Sequence, residues 1–331
     1  MPLSRMPPEL LVKIALYIPD APTMFNLFEA LGKPDARGLL LNSLWRLGLK
    51  MDRKKLWPVL SINGQETLDP SIACLMEIVM GMYVRVSIDG GLFDLLWLRQ
   101  QLHPQTGVEL INPTTAVASA SAQLDTWYTT CADMRITRLL IDFSDADRIL
   151  PLLPKLRPHL VALHLDESSC GSLSTLMDFI SSSNLTDLIL HVLSNDSLFG
   201  LATLTPPMVR HLVRWLRLRP IQNFQFSGHW VFAQGDDDGV ALQRELFAGL
   251  FDNKGLRSLH LTNVSLDALD PSLYGFPLRA LELVRCDMPL DTIHALAKRL
   301  ELSDIPRYHL RGCNPDPERK MYNFQRTRPV E

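Results

Sequence analysis

Cysteine is scarce in this sequence: five residues in 331, at Cys74, Cys131, Cys170, Cys286 and Cys313. They are odd in number and far apart, with no C-x-x-C and no Cys/His ligand set. That argues against a disulfide framework or a zinc module, and fits free thiols in a reducing compartment. No cofactor is expected. An excess of one charge is also lacking. With 33 basic and 36 acidic residues the net charge is −3, so no strong field draws the chain to nucleic acid or an anionic membrane. No apolar run approaches the roughly 18 residues of a membrane span. The apolar stretch 10–18 is interrupted by Lys13 and has no small-residue cleavage site, so it does not read as a signal peptide. With no secretory route in view, the glycosylation-type triplets at Asn184, Asn195 and Asn263 read as chance matches. The expected location is cytoplasmic, nuclear or both. Phosphate-binding glycine loops, the G-x-S-x-G elbow and H-E-x-x-H are missing as well. The chain is therefore expected not to be an enzyme.

What is present is leucine in a repeating arrangement. Apolar residues make up 47% of the chain and charged residues 21%, which is ordinary globular usage. Four segments share L-x-x-L-x-L: Leu160-Leu163-Leu165, Leu185-Leu188-Leu190, Leu256-Leu259-Leu261 and Leu278-Leu281-Leu283. Leu44-Leu47-Leu49 also matches but reads as helix. Allowing any apolar residue adds Trp57-Leu60-Ile62, Tyr83-Val86-Ile88, Ile136-Leu139-Ile141, Ile221-Phe224-Phe226 and Ile305-Tyr308-Leu310, with a poorer unit at Val108-Leu110. The last apolar positions are spaced 22 to 36 residues apart, with a mean near 28. Repeats of roughly 20–29 residues are the leucine-rich range.

Between these expected strands lie helical patterns behind start signals. Ser172 precedes Leu173, Leu176, Met177 and Ile180. Thr205 and Pro206 precede Val209, Leu212, Val213 and Leu216, with Arg210, Arg214 and Arg217 mostly on the solvent side. Pro70 opens Ile72, Leu75, Met76 and Val79, and Asp291 precedes Ile293, Leu296, Ala297 and Leu300. Each is an apolar stripe at helical spacing. A strand–turn–helix unit cannot bury its apolar side alone, and stacking on its neighbours does so.

This portion resembles leucine-rich repeat proteins, in the irregular form common among F-box proteins. LRSLHLTNVSL (Leu256–Leu266), LRALELVRCDM (Leu278–Met288) and IPRYHLRGC (Ile305–Cys313) carry the match best. Cys286 and Cys313 stand where the family places an inward Asn or Cys, and Val264 takes that place in the first. The implied fold class is α/β: an irregular leucine-rich repeat horseshoe, parallel strands inside and helices outside, with an N-terminal helical cap. A leucine-rich α/β domain without repeats is the alternative.

The N-terminal segment MPPELLVKIALYIPD (Met6–Asp20) resembles the opening of an F-box. Pro7, Glu9, Leu10, Leu11, Ile14, Tyr17 and Pro19 match the family pattern, while Met6 and Ile18 replace leucines and Ala15 is small. The later C-R-x-W-R is not recognisable; its nearest counterpart is Leu44-Trp45-Arg46. Physically, Pro7 and Pro8 suit a helix entrance, Glu9 complements the helix dipole and Pro19 ends the helix. Further helical patterns hold Met24, Phe25, Leu27, Phe28 and Leu31, then residues 39–56. The resemblance implies docking on a Skp-type adaptor of a cullin-based ubiquitin ligase. Met6, Pro7, Leu10, Leu11, Ile14 and Ile18 would make that contact. Residues 1–55 hold nine basic and five acidic side chains. The cluster Arg53, Lys54 and Lys55 either steers an acidic adaptor surface or simply terminates a helix favourably.

The expected organisation is thus an F-box-like helical domain over residues 1–56, a repeat array over 57–314 and a flexible tail over 315–331. Asp236, Asp237 and Asp238 are expected in a solvated turn. Strand positions between the inward apolar residues point outward. They include His164, Asp166, His191, His260, Glu282, Arg307, His309 and Arg311, which the resemblance makes client-binding candidates. If units stack in register, His260, Glu282 and His309 lie side by side, and Arg307 and Arg311 make that end positive. Arginine suits an acidic or phosphorylated client. The expected role is client recruitment to a Skp/cullin/F-box ligase. The alternatives are a ligase-independent scaffold or inhibitor, and a GTPase-activating regulator, for which no water-positioning residue is marked.

Overall fold

The computed structural model describes residues 6–63, 69–89, 95–112, 129–142, 147, 149–193, 200, 202–232, 237–313 and 323–327. Its architecture is mixed α/β, with ten parallel strands and intervening helices. Internal contacts divide the chain into two units, Met1–Leu139 and Leu140–Glu331. The boundary expected at 56/57 lies inside the first.

The first unit begins with four helices: α1 (Pro8–Ala15), α2 (Ala21–Leu31), α3 (Pro34–Leu47) and α4 (Arg53–Leu56). Then follow β1 (Leu60–Asn63), α5 (Pro70–Met80), β2 (Arg85–Asp89), α6 (Leu95–Gln101), β3 (Gly107–Ile111) and β4 (Ile136–Asp142), the strand in which the division falls. Proline opens α1, α3 and α5, where its missing N–H costs nothing. Asp20 and Asp69 accept from the backbone N–H of Thr23 and Ser71, each at 2.8 Å, and so cap α2 and α5. Strands β1, β2 and β3 pair in parallel with Leu60, Val86 and Val108 in one row and Ile62, Ile88 and Leu110 in another. These are the apolar positions of the repeat pattern.

The N-terminal helices share the core of this unit. Phe25, Phe28 and Trp45 form an aromatic cluster with ring centroids 5.3 to 6.5 Å apart. Gly48 follows α3 against this cluster. A Cβ there would sit 2.1 Å from the Phe25 ring, so only glycine permits the approach. Buried Arg37 donates from Nε to the Phe28 carbonyl (2.9 Å) and from Nη2 to that of Gly32 (3.0 Å). It thereby satisfies carbonyls at the end of α2 that the helix leaves open. Trp57 Nε1 donates to the Ile18 carbonyl (2.7 Å) and Tyr83 Oη to that of Leu56 (2.6 Å). Helix α3 also packs on α5. The N-terminal helices therefore cover the first strand–helix unit instead of standing apart.

The second unit contains α7 (Leu153–Leu156), β5 (Ala162–Ser169), α8 (Leu173–Ser182), β6 (Asp187–Leu193), β7 (Thr203–Leu204) and α9 (Pro206–Leu218). It continues with β8 (Asn223–Ser227), β9 (His229–Trp230), α10 (Asp237–Phe251), β10 (Ser258–Thr262), β11 (Ala280–Val284), α11 (Leu290–Glu301), β12 (Arg307–Arg311) and β13 (Asn323–Thr327). Here the sheet order is β5-β6-β8-β10-β11-β12-β13, while β7 and β9 pair with each other. All pairings are parallel except β12–β13.

Each of the ten expected strands is present, and its apolar residues are buried. Three expectations give way in detail. Ser172 starts α8 but makes no capping bond; Asp147 accepts from the N–H groups of Gly171 (2.8 Å) and Ser172 (3.0 Å) instead. Asp237 and Asp238 lie in the first turn of α10, where the helix dipole favours them, and not in a turn; Asp236 lies outside the described residues. The 15-residue α10 and 13-residue α9 fill the two longest spacings. Within the segment expected as a tail, residues 323–327 form β13, and the remainder lies outside the described residues.

The last three units share one exit geometry. Asn263, Arg285 and Gly312 directly follow β10, β11 and β12 with φ of 58°, 50° and 66°. This left-handed turn sends the next residue inward: Val264, Cys286 and Cys313 are buried. Cys286 Sγ lies 3.4 Å from the Leu261 carbonyl and Cys313 Sγ 3.4 Å from that of Leu283. Each thiol is a weak donor to the preceding strand. Among the described residues no cysteine is joined in a disulfide.

Candidate functional site

Two surfaces carry the sequence-derived candidates, one in each unit. In the first unit, α1 is apolar on two sides. Leu11 and Ala15 are fully buried among the helices. Leu10 is 45% exposed, Ile14 38% and Tyr17 89%. Leu10 and Ile14 are spaced i and i+4 on one face of α1, and Tyr17 lies in the turn that follows the helix. Pro7 is exposed at the helix start, and Met6 and Ile18 are half-buried. The expected contact residues Leu10, Leu11, Ile14 and Ile18 are thus split between core and surface. Leu11 serves the core, and its side chain is fully enclosed. Tyr17 and the 45%-exposed Leu16 extend the outer apolar surface. The expected contact set omits Tyr17, although its spacing from Leu10 and Ile14 is legible in the sequence.

In the second unit, parallel register sets the outward strand residues in rows. One row reads His164, Ile189, Gln225, His260, Glu282, His309. A second reads Asp166, His191, Ser227, Thr262, Val284, Arg311, and a third Ala162, Asp187, Asn223, Ser258, Ala280, Arg307. The expected neighbours His260, Glu282 and His309 are adjacent. His164 is separated from His260 by two strands, β6 and β8. From β5 to β12 the face spans about 24 Å at ~4.8 Å per strand.

Polar contacts tie this face together. His191 Nδ1 lies 2.9 Å from Asp166 Oδ1, and His260 Nδ1 lies 3.6 Å from Glu282 Oε2. His260 Nε2 is 3.0 Å from Thr262 Oγ1, and the His191 and His260 rings are 6.1 Å apart. Asn223 Nδ2 donates to Asp187, which also accepts from Thr186 Oγ1 at 2.8 Å. The Nε2 atoms of His191 and His309 are buried without a hydrogen-bond partner among the described residues. Burial holds the His260 imidazole below its ordinary pKa; Glu282 opposes that shift and His191 adds to it. Asp166 and Asp187 lie on β5 and β6, and Arg307 and Arg311 stand exposed on β12. The face therefore carries Asp166 and Asp187 at one end and Arg307 and Arg311 at the other, with imidazoles on β5, β6, β10 and β12 and Glu282 on β11.

Among the described residues no group of three His, Cys, Asp or Glu side chains is placed to hold a metal ion. No described helix is long and apolar enough to cross a membrane. No profile of a known family and no curated protein matches the chain.

Proposed function

We propose that this chain is a non-catalytic recruiter, in which α1 docks on a Skp-type adaptor of a cullin ubiquitin ligase and the strand face of the second unit takes the client. The observation that carries this reading is the outer face of α1. Leu10 and Ile14 are exposed on α1 and Tyr17 in the turn just after it, while Leu11 on that helix fills the core. Exposed large apolar residues grouped on one helix suit a helix-in-groove contact. The irregular leucine-rich repeat fold, with an F-box-like start, is part of the same proposal. It rests on the resemblance and on the shared strand, left-handed turn and buried Val or Cys of the last three units.

Arg307 and Arg311 suit carboxylates or phosphate on the client, while Asp166 and Asp187 suit basic groups at its other end. The adaptor reading is tested by co-purification of the full chain with a Skp-type adaptor. Wild type is expected to capture it and the Leu10→Asp/Ile14→Asp double variant to lose it. A wild-type chain that captures no adaptor would sink the reading. The packing of α3 on α5 favours a second reading, a ligase-independent scaffold whose N-terminal helices only cap the array. Charge reversal of Arg307 and Arg311 is expected to abolish client capture under either reading.

A further inference from the structure

Helix α9 carries Arg210, Arg214 and Arg217 at i, i+4 and i+7, and no carboxylate along its length. All three guanidinium-bearing residues are exposed and border a cleft between α9 and α10 of about 320 Å³. The floor is apolar, made by Val213 and Leu242, with Leu218 on the rim at 60% exposure. The single carboxylate lining the cleft is Glu245, which holds Arg217 at 3.3 Å. Neither Arg210 nor Arg214 has a carboxylate within salt-bridge distance among the described residues. Three positive charges against one negative leave the cleft with a surplus of two. Elsewhere on α9, His211 faces Asp178 of α8 at 3.8 Å, so the surplus is confined to the α10 side.

This arrangement differs from an ordinary solvated helix face in two respects. The arginines are not interleaved with acids, and they surround an apolar floor instead of covering it. The volume is at the small end of ligand clefts, which run about 300–1,000 Å³. It accommodates one or two large apolar side chains. Arginine binds carboxylates through paired N–H donors, and an exposed charged pair gains more when an apolar contact excludes water beside it.

We propose that the α9–α10 cleft is a second docking site, for an acidic partner peptide. The peptide seats one large apolar side chain between Val213, Leu218 and Leu242 and presents flanking carboxylates to Arg210 and Arg214. Charge complementarity selects this occupant, because a basic or neutral segment would leave both guanidinium groups unpaired. The site lies on helices and uses none of the strand-face or α1 residues. Its success or failure is therefore independent of the adaptor reading.

The test is fluorescence anisotropy of the full chain with labelled peptides in which a central Leu-Phe pair is flanked by glutamates. Controls carry glutamine or lysine in place of glutamate. Binding of the glutamate peptide is expected, with the Arg210→Glu/Arg214→Glu variant weakening it by about tenfold or more, in keeping with two charge contacts of ~0.7 kcal/mol each. A milder Arg210→Gln/Arg214→Gln variant, checked for an unchanged melting temperature, is expected to weaken it in the same direction. Equal binding of glutamate and glutamine peptides, or unchanged binding by both variants, would overturn the proposal. So would an interaction of Arg210 and Arg214 with inorganic phosphate, single-stranded DNA or phosphatidylserine vesicles but not with the glutamate peptide.

Discussion

Arg285 occupies a left-handed backbone conformation that an L side chain with a Cβ adopts at a cost of about 1–2 kcal/mol. Its equivalents are Asn263 and Gly312, the residue types that suit such a turn. Arg285 is exposed and its N–H bonds the Arg311 carbonyl at 2.8 Å. Replacement by glycine removes the strain but adds about 0.5–1 kcal/mol of chain entropy. Arg285→Gly is therefore expected to raise stability by about 0.5–1 kcal/mol, measured by urea denaturation. His260 gives a pH prediction. Its folded pKa lies below its unfolded value, mainly through burial. The unfolded chain then binds more protons as pH falls, so this group's contribution is unimpaired above the unfolded pKa and is lost through the imidazole range. The melting temperature is expected to drop between pH 7.5 and 5.5, with a smaller drop in His260→Gln. An identical drop in that variant would assign the effect to other groups.

At the scale of elements, α1 separates two roles that adjacent residues play. Leu11→Ala empties a fully buried site and is expected to cost about 2–5 kcal/mol. Leu10→Asp changes an exposed position and is expected to stay within ~0.5 kcal/mol. Thermal melts of the two variants check this directly. The sequence makes α1 legible as a helix but not its rotation, because a helix apolar on two sides has no unique inner stripe. The strands are the reverse case. Strict alternation of inward and outward residues leaves one solution, so all ten are legible, together with the adjacency of His260, Glu282 and His309. Strands β7 and β9, at two residues each, are too short to show any period. The cap of α8 is hidden because Asp147 is remote in sequence. The cleft on α9 is half-legible: its arginines are read as a wet face, but α10's apolar contribution depends on tertiary packing.

At the scale of the whole molecule, internal contacts divide the chain at 139/140. Composition gives no sign of this, since both units draw on the same strand and helix vocabulary. What the sequence does show is the period, which neighbouring units reproduce as parallel pairs of five residues in one register from β8 through β12. The segment after β12 breaks that rule. β13 runs the other way, with Arg307 opposite Thr327 and Arg311 opposite Asn323. Five residues of reversed backbone thus occupy hydrogen-bonding positions that a further parallel unit, or a neighbouring molecule, would otherwise use. Removing 323–331 would leave β12 as a template for intermolecular addition. The shortened chain is expected to elute from a sizing column as dimers and larger species at concentrations where the full chain stays single. The five residues of β13 would then guard solubility at the same strand that presents Arg307, His309 and Arg311.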